Sequence, residues 1–474
     1  MVGRKPQLEQ IALLKSSSKS EFVAIMGRRR VGKTYLIDNA FADNICFQMS
    51  GIQKGSTKVQ LENFQRKLLG YNKKKKALPT PKDWGEAFFQ LEEYLETLSK
   101  KKKQAIFLDE LPWMATAKSI FLQHLAHFWN DYLSKQKHFI LIICGSASSW
   151  LVKQVTNDKG GLHNRITSVI KLEPFSLLET SLFLTAKNIK LSQQDIAKIY
   201  MTMGGIPYYL DDIRKGESAA QAIERMCFEP SGKLYIEYDN LYKALFKNAY
   251  THERIVAAIA GSQKGMLRSE IVVKSKVQDG GPFNRAMQEL IDCGFIITIN
   301  QFGQKKREEV YRLHDEYTAF YHRFIKANKK FTKGMWLQMV NAQAYKIWLG
   351  FAFELLAFRH LPQIKQKLGI GGIYSEVSTH YYNIGKQGGL QIDLLIDRKD
   401  NTINYCEMKY YEEAFSFTKT FSNSVKEKMS RFKSVSKTKK QLFLTMITNH
   451  PIAENEYSLE LMQNNIVLDD LFMF

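Results

Sequence analysis

One segment constrains the fold more than any other. GRRRVGKT, Gly27 to Thr34, fits the spacing G-x-x-x-x-G-K-[ST] and sits between the apolar run EFVAIMG and the helix-like stretch TYLIDNAF. A glycine-rich turn between a strand and a helix points backbone N–H groups at a phosphate, and the helix amino terminus adds its dipole. Gly27, Arg28, Arg29, Arg30, Val31 and Gly32 would form the cradle. Lys33 would reach the β- and γ-phosphates, and the Thr34 hydroxyl would ligate Mg²⁺. The cofactors implied are ATP and Mg²⁺.

Four more short apolar runs follow: NICFQM, QAIFLDE, FILIICGS and SVIKLEPF, the last ending at Phe175. Helix-patterned segments separate most of them, which predicts a parallel sheet in an α/β layer domain. AIFLDEL ends in Asp109 and Glu110, two carboxylates at the carboxyl end of a strand, where ligands bind in open α/β sheets. Asp109 would hold Mg²⁺, partly through water, and Glu110 would orient and deprotonate the attacking water. An acidic strand cap is the plainer reading. The order Lys33, Thr34, Asp109, Glu110 within one domain favours the nucleotide site.

On these motifs residues 1–215 resemble an AAA+ ATPase of the STAND branch, the archaeal-type ATPase family. VGRKPQLEQI resembles the family's amino-terminal box, which implies Gly3 and Arg4 near the adenine. LIICGSAS resembles the sensor 1 segment and implies Ser146 near the γ-phosphate. GGIP, Gly204 to Pro207, matches the GG-x-P motif of a helical lid. NRITSVIKLEPF resembles the segment where relatives place an arginine, which makes Arg165 a candidate finger or sensor against a surface or structural role. The resemblance also implies nucleotide-driven opening and closing, and a nucleotide-dependent homo-oligomer.

Residues 250–315 hold three short helix candidates and then FIITIN, a polar turn and VYRLHD. Three helices and a hairpin outline a winged helix-turn-helix, with Pro282 in the first turn of the third helix and Gly294 at its end. Asn284, Arg285, Lys305, Lys306 and Arg307 would face DNA. A protein-contact or spacer module has the same outline.

In the segment QIDLLIDRKDNTINYCEMKYY, Asp393 begins an apolar strand, and Glu407 and Lys409 share one face of the next. A turn near Arg398–Thr402 would bring Asp393 beside them. Two carboxylates and a lysine suit a metal-dependent phosphodiesterase, with Asp393 and Glu407 on Mg²⁺ and Lys409 positioning water or offsetting charge. Glu354 is a lone acid on the apolar helix WLGFAFELL, costly to bury without a partner such as a metal or that lysine. Residues 346–448 resemble the PD-(D/E)xK nuclease core, with Ile392 where the name motif has proline. The resemblance makes Glu354, Asp393, Glu407 and Lys409 the catalytic set. An acid–lysine ladder across two strands is the plainer alternative.

Composition narrows the class. A chain of 474 residues, at about 150 per domain, suggests roughly three domains. The expected boundaries are 1–175 for an AAA+ P-loop core, 176–247 for a helical lid, 248–330 for the winged helix and 331–474 for the α/β nuclease-like domain. The net charge is +21; residues 331–474 carry 17 basic and 14 acidic side chains, leaving +18 on residues 1–330. That excess points to DNA, although the runs Lys73–Lys76 and Lys100–Lys103 also read as solvated surface. Five scattered cysteines without a CxxC read as reduced, buried thiols. No segment reaches the ~18 apolar residues of a membrane span, and MVGRKPQLEQ lacks a signal-like apolar core, so the cytoplasm is expected. The function expected is an ATPase coupled to a DNA nuclease. The alternative is an ATP-driven switch or scaffold that binds DNA or protein, its nuclease-like domain inactive.

Overall fold

The computed structural model describes residues 1–72, 77–116, 118–145, 148–156, 162–262, 264–303, 309–328, 332–383 and 389–473. The chain forms two compact units, Met1–Pro174 and Phe175–Phe474.

The first unit is built on strands β1 (Glu21–Met26), β2 (Ile45–Ser50), β3 (Gln104–Asp109), β4 (Phe139–Cys144) and β5 (Ser168–Lys171). Their order is β2-β3-β4-β1-β5 and every pairing is parallel. Residues of β1, β3 and β4 are buried along their whole length, the mark of a sheet covered on both faces. An aromatic layer covers one face. Trp84 meets Phe121 edge-on at 4.7 Å, and Phe88 stacks on Phe128 at 4.9 Å. The helices that supply it start at polar caps: Ser56 accepts from Val59 N ahead of Thr57–Tyr71, and Asp83 from Glu86 N ahead of Trp84–Glu96. Because all strands run one way, their carboxyl ends share one edge and their amino ends the other.

The second unit opens with helices, among them Leu177–Ala186, Gln193–Met203 and Glu237–Leu245. Three more follow, Ala249–Ala260, Arg268–Ser275 and Gly281–Asp292, with the two-residue strand β6 (Met266–Leu267) between the first and second. Pro282 lies in the first turn of the third of these, and Gly294 is left-handed (φ +72°) just past its end. The hairpin β7 (Ile296–Gln301) and β8 (Val310–Leu313) follows. Helix Gln343–Arg359 leads to β9 (Ser375–Asn383), β10 (Gly389–Arg398), β11 (Thr402–Lys409), β12 (Gln441–Thr448) and β13 (Met462–Val467).

β9, β10 and β11 form an antiparallel meander, and helix Lys419–Ser436 carries the chain over to β12, parallel to β11. β13 adds in parallel beyond it. β7 pairs with β9, Asn300 opposite Ser378, so one eight-stranded sheet ordered β13-β12-β11-β10-β9-β7-β8-β6 runs from hairpin to carboxyl terminus. Sheet pairing thus joins the two sides of position 330. All five cysteines are free and buried. Among the described residues no helix is long and apolar enough to cross a membrane.

Candidate functional site

The carboxyl edge of the first sheet gathers one set of candidates. Gly27 follows β1 at φ +154°, and a Cβ there would lie 2.4 Å from the Leu172 carbonyl oxygen, so glycine is required. Arg30 holds φ +72° without being glycine, a strained conformation of the kind that collects at functional loops. Gly32, at φ +89°, caps helix Lys33–Ala40. Lys33 is buried, and its Nζ donates to the carbonyl oxygens of Gly27 (2.8 Å) and Arg28 (3.0 Å). The ammonium is therefore held inside the turn it belongs to. Arg28 and Val31 are buried, and Arg29 and Arg30 are half-buried.

Asp109 is the hub of this edge. Its Oδ2 accepts from Thr34 Oγ1 (3.1 Å) and Ser50 Oγ (3.2 Å), and its Oδ1 from Cys144 Sγ (2.7 Å) and Glu110 N (2.9 Å). Ser50, Asp109 and Cys144 are the last residues of β2, β3 and β4, which the parallel register brings to one edge. Burial, reinforced by the Asp109 carboxylate, holds the Cys144 thiol well above its ordinary pKa, so it stays a protonated donor. Glu110 is half-buried at φ +49° and begins the short helix Leu111–Met114.

Arg4 acts on the loop itself. Its Nη2 donates to Val31 O (2.8 Å) and its Nη1 to Glu173 O (2.6 Å), with Gly3 left-handed beside it. The arginine in the amino-terminal box thus braces the phosphate-loop backbone. Ser50 and Cys144 went unseen in the sequence, since only their place at strand ends marks them, and Arg4 was expected near the adenine rather than as a brace. Ser146 lies outside the described residues. Arg165 ends a turn ahead of β5, half-buried, its N–H bonded to Leu162 O at 3.1 Å.

In the second unit, Gly204 is left-handed (φ +69°), and a Cβ on Gly205 would lie 2.0 Å from Phe175 O. Phe175 N donates to Gly205 O at 2.7 Å, so the paired glycines allow two backbones to touch. Pro207 opens the helix Pro207–Leu210. Asn284 on the Gly281–Asp292 helix is occupied by Arg268 (2.7 Å), while Arg285 is exposed. Lys305, Lys306 and Arg307 lie outside the described residues, as do Lys73–Lys76.

A second constellation lies on β10 and β11. Leu394 pairs with Cys406, and continuing that register by one residue sets Asp393 opposite Glu407. The register of β10 against β9 shifts between Ile392 and Leu395, a bulge that re-aims Asp393. Asp393 Oδ2 accepts from Met408 N at 3.1 Å. Glu407 is 2% exposed. Its Oε1 meets Lys409 Nζ at 2.9 Å and Lys428 Nζ, from the helix Lys419–Ser436, at 3.2 Å. Its Oε2 is buried with no hydrogen-bond partner among the described residues.

The charges sort unequally. Burial pushes the Asp393 carboxyl up to about 7, helped by the nearby Glu354 and Glu407 carboxylates. Burial also raises Glu407, but the charges and hydrogen bonds of Lys409 and Lys428 outweigh it and hold that carboxyl below its ordinary range. Burial lowers Lys409, yet Glu407 and Asp393 keep it above its ordinary value. Glu407 and Lys409 thus form a charged pair, and Asp393 takes the proton when one is taken.

Glu354 finds a different partner from those expected. Its Oε2 meets Arg312 Nη2 of β8 at 2.9 Å, with the two side chains 13% and 6% exposed. A cavity of about 380 Å³ borders Arg312, Glu354, Asp393, His380, Lys264 and Lys274. Among the described residues no group of three or more His, Cys, Asp or Glu side chains is set to hold a metal ion. Arg312 and Lys428 are the site residues that the sequence reading lacked.

Residues 1–213 match the family described as an ATPase domain predominantly from Archaea. An uncharacterized protein of Methanocaldococcus jannaschii is 25% identical over 422 residues, spanning 86% of this chain and 87% of its own length. Among solved structures, a Walker-type ATPase of Pyrococcus abyssi is similar, with a TM-score of 0.48 at 16% identity over 68% of this chain and 96% of that one. The ORC2 protein of Aeropyrum pernix gives a TM-score of 0.40 at 14% identity over 69% of this chain and 93% of its own. The family match and the loop geometry agree: the chain carries a P-loop ATPase domain.

Proposed function

We propose that this chain is an AAA+ ATPase whose nucleotide state controls metal-dependent cleavage of DNA by its second unit. The observation that carries the reading is the convergence of Asp393, Glu407 and Lys409 on adjacent strands, in a chain that also holds a complete phosphate loop. The α-β-β-β-α-β order of Gln343–Arg359, β9–β11, Lys419–Ser436 and β12 supports a PD-(D/E)xK-like core within 331–474. Three helices and a hairpin support a winged helix within 248–330, and the helices after Phe175 support a lid within 176–247.

At the first site the donors fit ATP and Mg²⁺. Thr34 and Asp109 offer hard oxygens already within hydrogen-bond reach of each other, as Mg²⁺ prefers. Bound Mg²⁺ would neutralise charge developing on the phosphates. Lys33 exchanges the carbonyls of Gly27 and Arg28 for phosphate oxygens. Glu110 orients and deprotonates the attacking water, and Arg165 or Ser146 senses the γ-phosphate. Arg4 keeps the loop backbone in place throughout.

At the second site Asp393 and the open Oε2 of Glu407 fit a divalent cation. When bound, that ion would supply a hydroxide at neutral pH and draw charge from the scissile phosphate. Lys409 positions the water and offsets charge on the phosphate, and Lys428 holds the Glu407 carboxylate in register. A second reading has its own support: Glu354 is committed to Arg312, as expected if the domain keeps the fold as a switch without cutting. Incubating wild type and Lys409→Ala with single-stranded, linear and supercoiled DNA, with Mg²⁺ or Mn²⁺, separates the two. Cutting by wild type alone supports the nuclease; no cutting on any substrate favours the switch.

A further inference from the structure

The amino edge of the first sheet carries a second feature. The segments entering β1, β2, β3 and β4 meet there around a groove of about 820 Å³. Seven of its lining residues are lysines, and among the described residues no carboxylate lines it. The run Lys100–Lys103 enters β3, and Lys135 and Lys137 come from the segment entering β4. Gln104 pairs with Phe139 across those strands, so the register itself brings the two lysine groups together.

The groove has a fixed floor. Lys103 Nζ donates to Lys137 O at 2.9 Å, Asn44 Nδ2 to Lys103 O at 2.9 Å, Gln104 N to His138 O at 2.7 Å and Ser20 Oγ to Gln136 O at 3.0 Å. The rim is different. Lys100, Lys101 and Lys137 are exposed, and no hydrogen bond or ion pair holds their ammonium groups among the described residues. Lys135 meets the exposed Asp131 at 3.7 Å, and Glu21 is the acid acting on Lys103. Burial and the charges of Lys100 and Lys103 push His138 below its ordinary value, a sign of the positive field. Like charges that outnumber the acids beside them repel one another, and a polyanion relieves that.

We infer that this groove binds the phosphate backbone of duplex DNA, on the edge opposite the phosphate loop. Lysines are point charges suited to phosphate without base recognition. Among the described residues the one ring in the lining is the buried His138, which offers no exposed platform for the stacked bases of a single strand. Strands of six residues place the groove roughly 20 Å from the nucleotide edge, so DNA and ATP do not compete for it.

The test is fluorescence anisotropy of a short mixed-sequence DNA duplex with the full chain in EDTA, where neither hydrolysis nor cleavage enters. Lys100→Gln/Lys101→Gln/Lys137→Gln removes three contacts and should flatten the slope of log affinity against log salt by about 2.7. Between roughly 50 and 200 mM salt, wild type then loses about 40-fold more affinity than the variant. Lys54→Gln/Lys58→Gln/Lys67→Gln removes the same charge from exposed positions elsewhere on that unit. Near wild-type slope for this second triple supports the groove. Equal losses for both triples, an unchanged slope for the first, or tighter binding of single strands than of duplex overturns it.

Discussion

Arg312→Met tests how the second unit holds Glu354, an acid on an apolar helix. The substitution removes the guanidinium that meets Glu354 at 2.9 Å, where the two side chains are only 6% and 13% exposed. Breaking a largely buried pair from one side costs up to about 3–5 kcal/mol, because the remaining carboxylate loses its charged partner. The guanidinium carbon also lies 5.2 Å from the Phe358 ring centroid, so methionine keeps the apolar stem and gives up a smaller cation–π contact along with the ion pair. Replacing both partners, Arg312→Met with Glu354→Leu, removes the stranded charge and also one of the charges pressing on Asp393. The double variant should return to within about 1 kcal/mol of wild type. With two units in the chain, a single global unfolding energy is not defined. Hydrogen exchange in mild urea, read on peptides from β10 and β11, reports the second unit alone. The single variant should exchange up to roughly two to three and a half decades faster there, and the double should recover most of that. A double variant as damaged as the two singles summed would refute the buried pairing.

Three further predictions follow from the same geometry. Lys33→Ala should abolish ATP turnover in a phosphate-release assay; unchanged turnover would remove the phosphate loop from the account. Gly27→Ala should lower the melting temperature of the first unit and weaken ATP binding, because its Cβ would collide with Leu172 O; a variant with wild-type melting and affinity contradicts that packing. Asp393→Asn should change how stability depends on pH. With its folded pKa raised from 3.8 to about 7, the native chain keeps a proton that the unfolded chain releases, so this group costs stability as pH rises between those values. The variant should therefore melt above wild type near about pH 8 and level with it near about pH 4, and Mg²⁺ should raise the melting of wild type only. Parallel melting curves for the two proteins across that range count against the assignment.

Features local in the chain were legible from sequence. The phosphate loop and the Asp109–Glu110 strand end are contiguous motifs, and Asp393, Glu407 and Lys409 lie within one hairpin. Partners from distant segments were not. Arg312 reaches Glu354 across 42 residues and Lys428 reaches Glu407 across 21, and no periodicity encodes either meeting. Ser50 and Cys144 serve Asp109 only because parallel strands end together. β6 has two residues, too few for an alternating pattern, and the MQNNIV of β13 is too polar to read as a strand. The pairing of β7 with β9 joins segments that read as separate domains. The run Lys100–Lys103 was visible as charge, but its assembly with Lys135 and Lys137 depends on the β3–β4 register.

Nucleotide at the phosphate loop is proposed to govern cleavage at Asp393, Glu407 and Lys409. The most direct measurement is the initial rate of DNA cleavage in Mg²⁺ by wild type and Lys33→Ala, each with and without ATP. ATP should change the wild-type rate and leave the Lys33→Ala rate where it was. A wild-type cleavage rate indifferent to ATP, or an equal response to ATP in Lys33→Ala, would contradict it.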